Sequence, residues 1–447
     1  MSEMRDDERI AIDPGEEPAS VAARLAELHP ADVATALATL EPDAIVRILW
    51  ALETDQAADV LTHLDEGTLE EILEVMGPPE IAEIAAELES DDATDVIGSL
   101  EESKRVQVLS RLTADDRREV ERLLRYTDES AGGIMASEVV YVHEDASVGD
   151  AIEVLRAAAD EVEDIHNVYV TDRQGRLRGV LSLRKLVLAR PNARVSQSMD
   201  EDVVSVPTEI DQEDVAKVMS KYDLIAIPVV DNEGVLVGRI TFDDIIDVIR
   251  DEAEEDFSIM AGTSEEEFHE DSVFRISRIR LPWLVVGALG GLASASVMSI
   301  YSVSLEKLIA LAFFVPVITA MGGNVGLQTS TIIVRSMHLG VGLAGEAGAR
   351  LLREWRIALT NALILGAALY GAVSVWFGDW RLGLVVGGSL ATVILVAATL
   401  GTIMPFALRR VGVDPAVAQG PFVTTLNDVI GISVYLGLAS AFIERLG

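Results

Sequence analysis

Asp428 is the residue in this chain whose surroundings ask most of it. It lies about 14 positions into a stretch, Pro415 to Ile443, that is otherwise uncharged and long enough to cross a bilayer. A charge at mid-bilayer costs at least about 2.5 kcal/mol by insertion scales, so such residues serve ion paths, proton relays or partners. No Lys or Arg inside any of the apolar C-terminal stretches neutralises it. An intramembrane aspartyl protease needs a second Asp to share a proton. The next one, Asp414, is on the order of 20 Å away along a helix, which argues against a dyad.

A second polar patch sits in another apolar stretch: Gly322, Gly323, Asn324, Gly326 and Gln328, followed by Thr329, Ser330 and Thr331. The glycines serve close helix packing or expose carbonyls, and Asn324 and Gln328 add neutral oxygens that favour a pore wall. Near Asp428, Gly420-Pro421 breaks the helix and frees carbonyls that protein or water must receive. Thr424 and Thr425 follow on the same segment. Hard oxygens without Cys or His point to Mg2+ or Ca2+ rather than a softer metal. One Asp per chain is thin for a divalent ion. A homodimer with its two-fold axis along the pore supplies two, so a homodimer is expected.

Further acids lie outside these stretches. Asp243 to Asp256 holds eight acids in fourteen residues, among them Asp244, Asp247, Asp251, Glu252, Glu255 and Asp256. Others are Glu213, Asp214 and Asp223, and Asp91, Asp92 and Asp95. Like charges ~6 Å apart repel by about 0.7 kcal/mol per pair even at the dielectric of water, so several pairs hold modules apart until divalent cations bind. Adaptation to a salty cytoplasm is the competing explanation of these acids.

Composition separates the parts. The 447 residues carry 74 acids against 35 bases, net −39, which excludes a phosphate-tracking nucleic-acid protein and favours divalent cations as partners. From Ser277 onward there are 7 acids and 11 bases; the preceding 276 residues hold 67 and 24. The N-terminus, acidic and without an apolar run, does not look like a cleaved signal peptide. Residues 1–19 read as an acidic tail. Leu28, Leu40, Leu52, Leu64, Met76, Leu88, Leu100 and Leu112 recur every 12 residues. Helix-start residues follow each mark, so 20–130 reads as an all-α superhelical domain of stacked short helices.

A second repeat, at an offset of 59, aligns Val168 to Ser182 with Pro228 to Thr241, each two strands around a Gly turn. It resembles a tandem pair of α/β CBS domains, 137–195 and 199–256 together spanning 137–256, with an acidic connecting region at 243–276. The all-α domain at 277–447 has uncharged stretches at Leu281 to Leu305, Leu308 to Val334, Ile357 to Gly378, Leu382 to Leu408 and Pro415 to Ile443. These make five transmembrane helices. Arginines crowd the flanks that share a side with the acidic half. That places the N-terminal domains in the cytoplasm and the C-terminus outside a cell (inner) membrane, with lipid as a partner.

With these motifs in one chain, over about residues 20 to 446, the sequence resembles the MgtE family of magnesium channels and transporters. The most specific pieces are Gly322-Gly323-Asn324-x-Gly326-x-Gln328 and Asp414-Pro415-Ala416 through Gly420-Pro421-x-x-Thr424-Thr425-x-x-Asp428. The resemblance implies Mg2+ rather than Ca2+. It also implies a dimer whose second and fifth spans line the pore, a carboxylate at Asp428 contacting hydrated Mg2+, and feedback closure by cytosolic Mg2+ through the acidic domains and connecting helix. CBS domains often bind adenosine nucleotides through Gly-x-hydrophobic-Ser/Thr-x-x-Asp. The second copy keeps this as Gly238, Thr241 and Asp244, while the first has Lys185 at the last position, so ATP is expected at one familiar site at most. No Walker loop or His-based triad appears, and an enzyme is not expected. The alternatives are transport of Co2+, Mn2+ or Ca2+, or a non-transporting membrane-anchored CBS sensor or scaffold.

Overall fold

The computed structural model describes residues 12, 16–159, 165–264, 272–338 and 347–446, in two compact units, Met1–Ile249 and Arg250–Gly447. Most of the expected acidic tail, and 265–271 of the connecting region, lie outside the described residues.

The first unit opens with short helices: α1 (Pro18–Leu25), α2 (Pro30–Leu37), α3 (Pro42–Leu49), α4 (Thr54–Thr62), α5 (Glu66–Val75), α6 (Pro78–Ala85), α7 (Ser90–Gly98), α8 (Glu102–Leu109) and α9 (Ala114–Leu123). Pro18, Pro30, Pro42 and Pro78 occupy first-turn positions, where the missing N–H costs nothing. Helix α1 therefore begins inside the stretch expected as tail. Each of α1 to α4 packs on the helix two along, as α6 does on α8 and α7 on α9. One apolar core consequently runs from Val21 to Val120, and a single 12-residue unit has no core of its own.

Two three-stranded sheets follow. The first joins β1 (Tyr141–His143), β2 (Asn167–Thr171) and β3 (Leu177–Ser182), with α10 (Val148–Ala158) after β1 and α11 (Leu183–Leu188) after β3. The second joins β4 (Val206–Pro207), β5 (Ala226–Val230) and β6 (Leu236–Thr241), with α12 (Gln212–Tyr222) between β4 and β5. In both, the first strand is parallel to the middle one and the last antiparallel to it. The turns need a left-handed residue, supplied by Gly175 (φ 78°) and Gly234 (φ 80°). They bond reciprocally, Leu177 N–H to Gly234 O and Leu236 N–H to Gly175 O, both at 3.0 Å, so the copies face each other about a pseudo-two-fold.

Helix α13 (Phe242–Ala261) leaves the second sheet and enters the other unit. There α14 (Val273–Ile300), α15 (Ser302–Lys307), α16 (Val315–His338), α17 (Ala347–Phe377), α18 (Trp380–Arg410) and α19 (Pro421–Leu446) follow. Five spans are long and apolar enough to cross a membrane: Val273–Ile300, Ile309–Met337, Gly348–Phe377, Trp380–Arg410 and Pro415–Phe442. α18 is the most enclosed, packed against α17, α16 and α19, whereas α14 meets mainly α19 and leaves most of its surface open. The last span is broken as Gly420-Pro421 predicts: a 3-10 turn, Pro415–Gln419, precedes α19. Ser330, fully buried on α16, donates to Ala418 O at 3.0 Å, so protein receives a carbonyl of that turn.

Candidate functional site

The two polar patches of the membrane-capable region meet through glycine. Gly326 of α16 faces the side chain of Asn427 on α19 so closely that a Cβ would collide with Asn427 Nδ2, and Gly322 looks on Val393 of α18. A Cβ at Gly401 of α18 would stand 2.5 Å from Gly326 O. The backbones of α16, α18 and α19 thus converge at the level of Asn427, one residue before Asp428. Asn427 is 3% exposed and its Nδ2 has no partner among the described residues. Gly323 is buried, yet a Cβ there would meet nothing within 4 Å.

Asp428 is half-buried, with no hydrogen-bond or ion-pair partner among the described residues. Thr424, one turn earlier on its face, donates its hydroxyl to Pro421 O at 3.0 Å. Thr425 instead packs its methyl on Gly290 of α14. Asp414 is exposed beyond the helix break, and its Oδ1 caps the 3-10 turn by accepting from Ala416 N–H at 2.7 Å. Asn324 and Gln328 point away from the packed face of α16; both are exposed and share one stripe with Arg335.

In the first unit a different arrangement gathers acids. Asp91 and Asp92 on α7 are half-buried and Asp95 keeps contact with solvent, and all three feel the charge of Asp244 at the start of α13. Loss of hydration in this crowded seam, then the charges of Asp92, Asp244 and Glu89, hold the Asp91 carboxyl well above the usual range. Desolvation followed by Asp95, Asp244, Glu89 and Asp243 pushes Asp92 up to about 7. Asp95 is likewise raised to about 7 by desolvation, with Asp128, Asp244 and Glu66 adding. Desolvation also raises Asp244, although the Thr241 N–H and hydroxyl, each 2.8 Å from its Oδ2, oppose the shift.

One cation anchors the seam. Arg239 of β6, 5% exposed, donates to both carboxylate oxygens of Glu89, at 2.8 and 2.9 Å. Ser90 donates to Glu138 Oε2 and accepts from Ser137 N–H, both at 2.8 Å. Glu89, Glu66, Asp128 and Arg239 were not singled out from the sequence. One signal was available: Arg239 occupies the strand register that Val180 holds in the first copy, opposite Pro228 as Val180 is opposite Tyr169. A charge replacing an apolar strand residue marks an unusual partner.

Glu213 and Asp214 both pair with Lys217 along α12, at 2.9 and 3.3 Å, and Asp223 is the left-handed residue that ends that helix. Asp247, Asp251, Glu252, Glu255 and Asp256 follow one another along α13, where Arg250 donates to Asp251 at 3.3 Å. Among the described residues no group of three His, Asp or Glu side chains converges as the direct ligands of a metal would. Gly238 lies tight against Met135 and Ala136, and Thr241 is engaged by Asp244.

Family models match three parts of the chain: "MgtE intracellular N domain" over 28–129, "CBS domain" over 131–192 and 195–251, and "Divalent cation transporter" (MgtE) over 315–438. The chain is 40% identical to the magnesium transporter MgtE of Thermus thermophilus over 74% of each chain. It is 35% identical to that of Bacillus subtilis over 76% of this chain and 75% of the other. Among solved structures, the cytosolic domain of the Mg2+ channel MgtE in complex with ATP is similar, at 39% identity and TM-score 0.50, covering 52% of this chain and 95% of that one.

Proposed function

The chain belongs to the MgtE family, a family of transporters and not of enzymes, and from that premise we propose that it is a homodimeric Mg2+ channel of the cell membrane, closed by Mg2+ on its cytosolic side. The observation that carries the reading is the pairing of Asp428, half-buried without a partner among the described residues, with the exposed polar stripe of Asn324 and Gln328. Neither is placed well against lipid, where each unsatisfied polar group costs several kcal/mol. A second copy covers the stripe and brings a second carboxylate to the path. Asp428 then attracts hydrated Mg2+ through its water shell, since this ion dehydrates reluctantly. Gly322 and Gly326 let α18 and α19 pack close against α16, which sets where Asp428 stands beside the path. The acidic domains lie in the cytosol and the C-terminus outside.

Closure follows from the seam between α7 and α13. Asp91, Asp92, Asp95 and Asp244 repel when ionised, and divalent cations with their water shells relieve that repulsion without needing a tight ligand set. Relief favours the docked arrangement by as much as the cation prefers it. α13 carries the change onward, because its last turn lies against Gly420 at the helix break. ATP is assigned to the CBS pair by likeness to the ATP-bound relative, with Gly238, Thr241 and Asp244 of the second copy as its holders.

Proteoliposomes with an internal fluorescent Mg2+ reporter test the pore. Wild type is expected to conduct and Asp428→Ala to lose the flux; equal flux in both overturns the assignment. Competition by Co2+, Mn2+ and Ca2+ in the same vesicles fixes the ion.

A further inference from the structure

Among the described residues the largest fully buried side chain is Tyr435, seven positions beyond Asp428 on α19. We propose that Tyr435 is a positioning residue that sets ion specificity, by holding Asp428 at the distance where it meets a cation's water shell and not the bare ion. The inference rests on the channel reading given above and adds to it the residue that fixes the carboxylate.

The first argument is the buried hydroxyl. A phenol taken out of water needs a partner, and Tyr435 donates to Leu311 O at 2.9 Å. Leu311, itself fully buried, belongs to a 3-10 segment, Ile309–Phe314, that precedes α16. The second is the clamp around that bond. Ser304 of α15 donates to Ser440 at 3.0 Å, and Gly437 admits the Tyr301 hydroxyl, which would stand 3.3 Å from a Cβ there. The C-terminal half of α19 is thus tied by side chains to the connection between α14 and α16. At the other end Ser330 holds Ala418 O. Between these pins Thr424 and Ser433 bond within their own helix, and the Asn427 amide nitrogen has no partner.

The third is periodicity. Seven residues make almost two full turns, so Tyr435 stands on the face of Asp428, about 10 Å further along the axis. A slip or roll of α19 moves both alike. Mg2+ sheds its waters reluctantly, whereas Ca2+ takes about six to eight oxygens in flexible geometry. A carboxylate held at the distance of the water shell therefore suits Mg2+, and one released to close on the ion favours Ca2+.

Competition in proteoliposomes reads the difference. Tyr435→Phe keeps the ring and removes the donor. Mg2+ flux is expected to persist, and the Ca2+ concentration that halves it to fall about fivefold, the worth of one hydrogen bond. Ser440→Ala, which cuts the neighbouring tie, is expected to shift that midpoint the same way by less, and carries the test if Tyr435→Phe misfolds. Ser433 donates to Val429 O of its own helix at 2.7 Å, so Ser433→Ala is expected to change nothing. Lowered thermal unfolding with an unchanged Ca2+ midpoint in Tyr435→Phe and Ser440→Ala makes the clamp structural only and overturns the proposal, as does an equal shift in Ser433→Ala. Flux that survives Asp428→Asn in the same vesicles overturns the channel reading instead.

Discussion

Asp92 and Asp428 are both half-buried carboxylates, yet they sit in opposite company. Asp92 is surrounded by Asp91, Asp95, Asp243, Asp244 and Glu89, with Arg239 as the anchoring cation. Asp428 has neither a like charge nor a cation beside it among the described residues. A crowd of acids turns cation binding into conformational work, because relief of repulsion depends on how closely the modules stand. A lone acid attracts a cation without being remodelled by it, and releases it again, as passage requires. In the function proposed above, sensor and conduit use the same side chain and differ in its neighbours.

The largest expected effect breaks the conduit half of that contrast. Asp428→Asn keeps the shape and removes the charge, and Mg2+ flux in proteoliposomes is expected to fall to that of empty vesicles. Protease protection of the cytosolic half by Mg2+ is expected to persist unchanged. Loss of both together would show that the two sites are one.

Next in size is the anchor. Truncating one partner of a buried ion pair costs about 3–5 kcal/mol, because the other charge is stranded. Arg239→Met leaves Glu89, with a side chain 23% exposed, among other acids. The N-terminal helices are then expected to be cleaved from the CBS pair at Mg2+ levels that protect the wild type. Glu89→Gln, which keeps an acceptor for Arg239, is expected to do less.

Much of the architecture was legible because it repeats. The 12-residue Leu spacing, the offset of 59 between strand pairs and the uncharged stretches are periodic signals that local physics writes directly into sequence. Gly420-Pro421 was equally readable, since its effect on backbone is local. The seam was legible only in part. Asp91, Asp92, Asp95 and Asp244 could be picked out as acids, but Glu66 and Asp128 converge on Asp95 through tertiary packing that no short spacing encodes. Thr425 reads as a pore oxygen by its place after Gly420-Pro421, and its contact with Gly290 follows from which neighbour fills that side of α19. Gly326 carries both the packing and the pore reading at once: it admits Asn427 and thereby sets the helix that bears Asp428.

That close approach gives a sharper test. Gly326→Val overfills the contact with Asn427 and with α18, and overpacking costs about 1–3 kcal/mol. Thermal unfolding of the full chain is expected at lower temperature and flux to fall with it, whereas Gly323→Ala, which meets open space, is expected to preserve stability.

pH probes the crowded acids without mutation. Desolvation and neighbouring acids push Asp92 and Asp95 up to about 7 in the seam, from an ordinary carboxyl value of 3.8. The docked form therefore binds more protons between those values, and its stability falls as pH rises through that window. In the absence of divalent cations, moving from pH 8 to pH 6 is expected to raise protease protection as Mg2+ does. The double variant Asp92→Asn, Asp95→Asn is expected to flatten the response.

The smallest effect concerns the acids that already have a partner. Glu213 and Asp214 share Lys217 on the solvent side of α12, with Lys217 and Glu213 each 35% exposed, so their charges are partly answered before any cation arrives. Exposed helix pairs of this kind are worth about 0.3–0.5 kcal/mol. Lys217→Met is expected to shift thermal unfolding barely, but to leave two unanswered carboxylates. If those acids belong to the sensor, the Mg2+ concentration needed for protease protection changes; an unchanged midpoint assigns them to the solvated face of α12 and confines sensing to the seam held by Arg239.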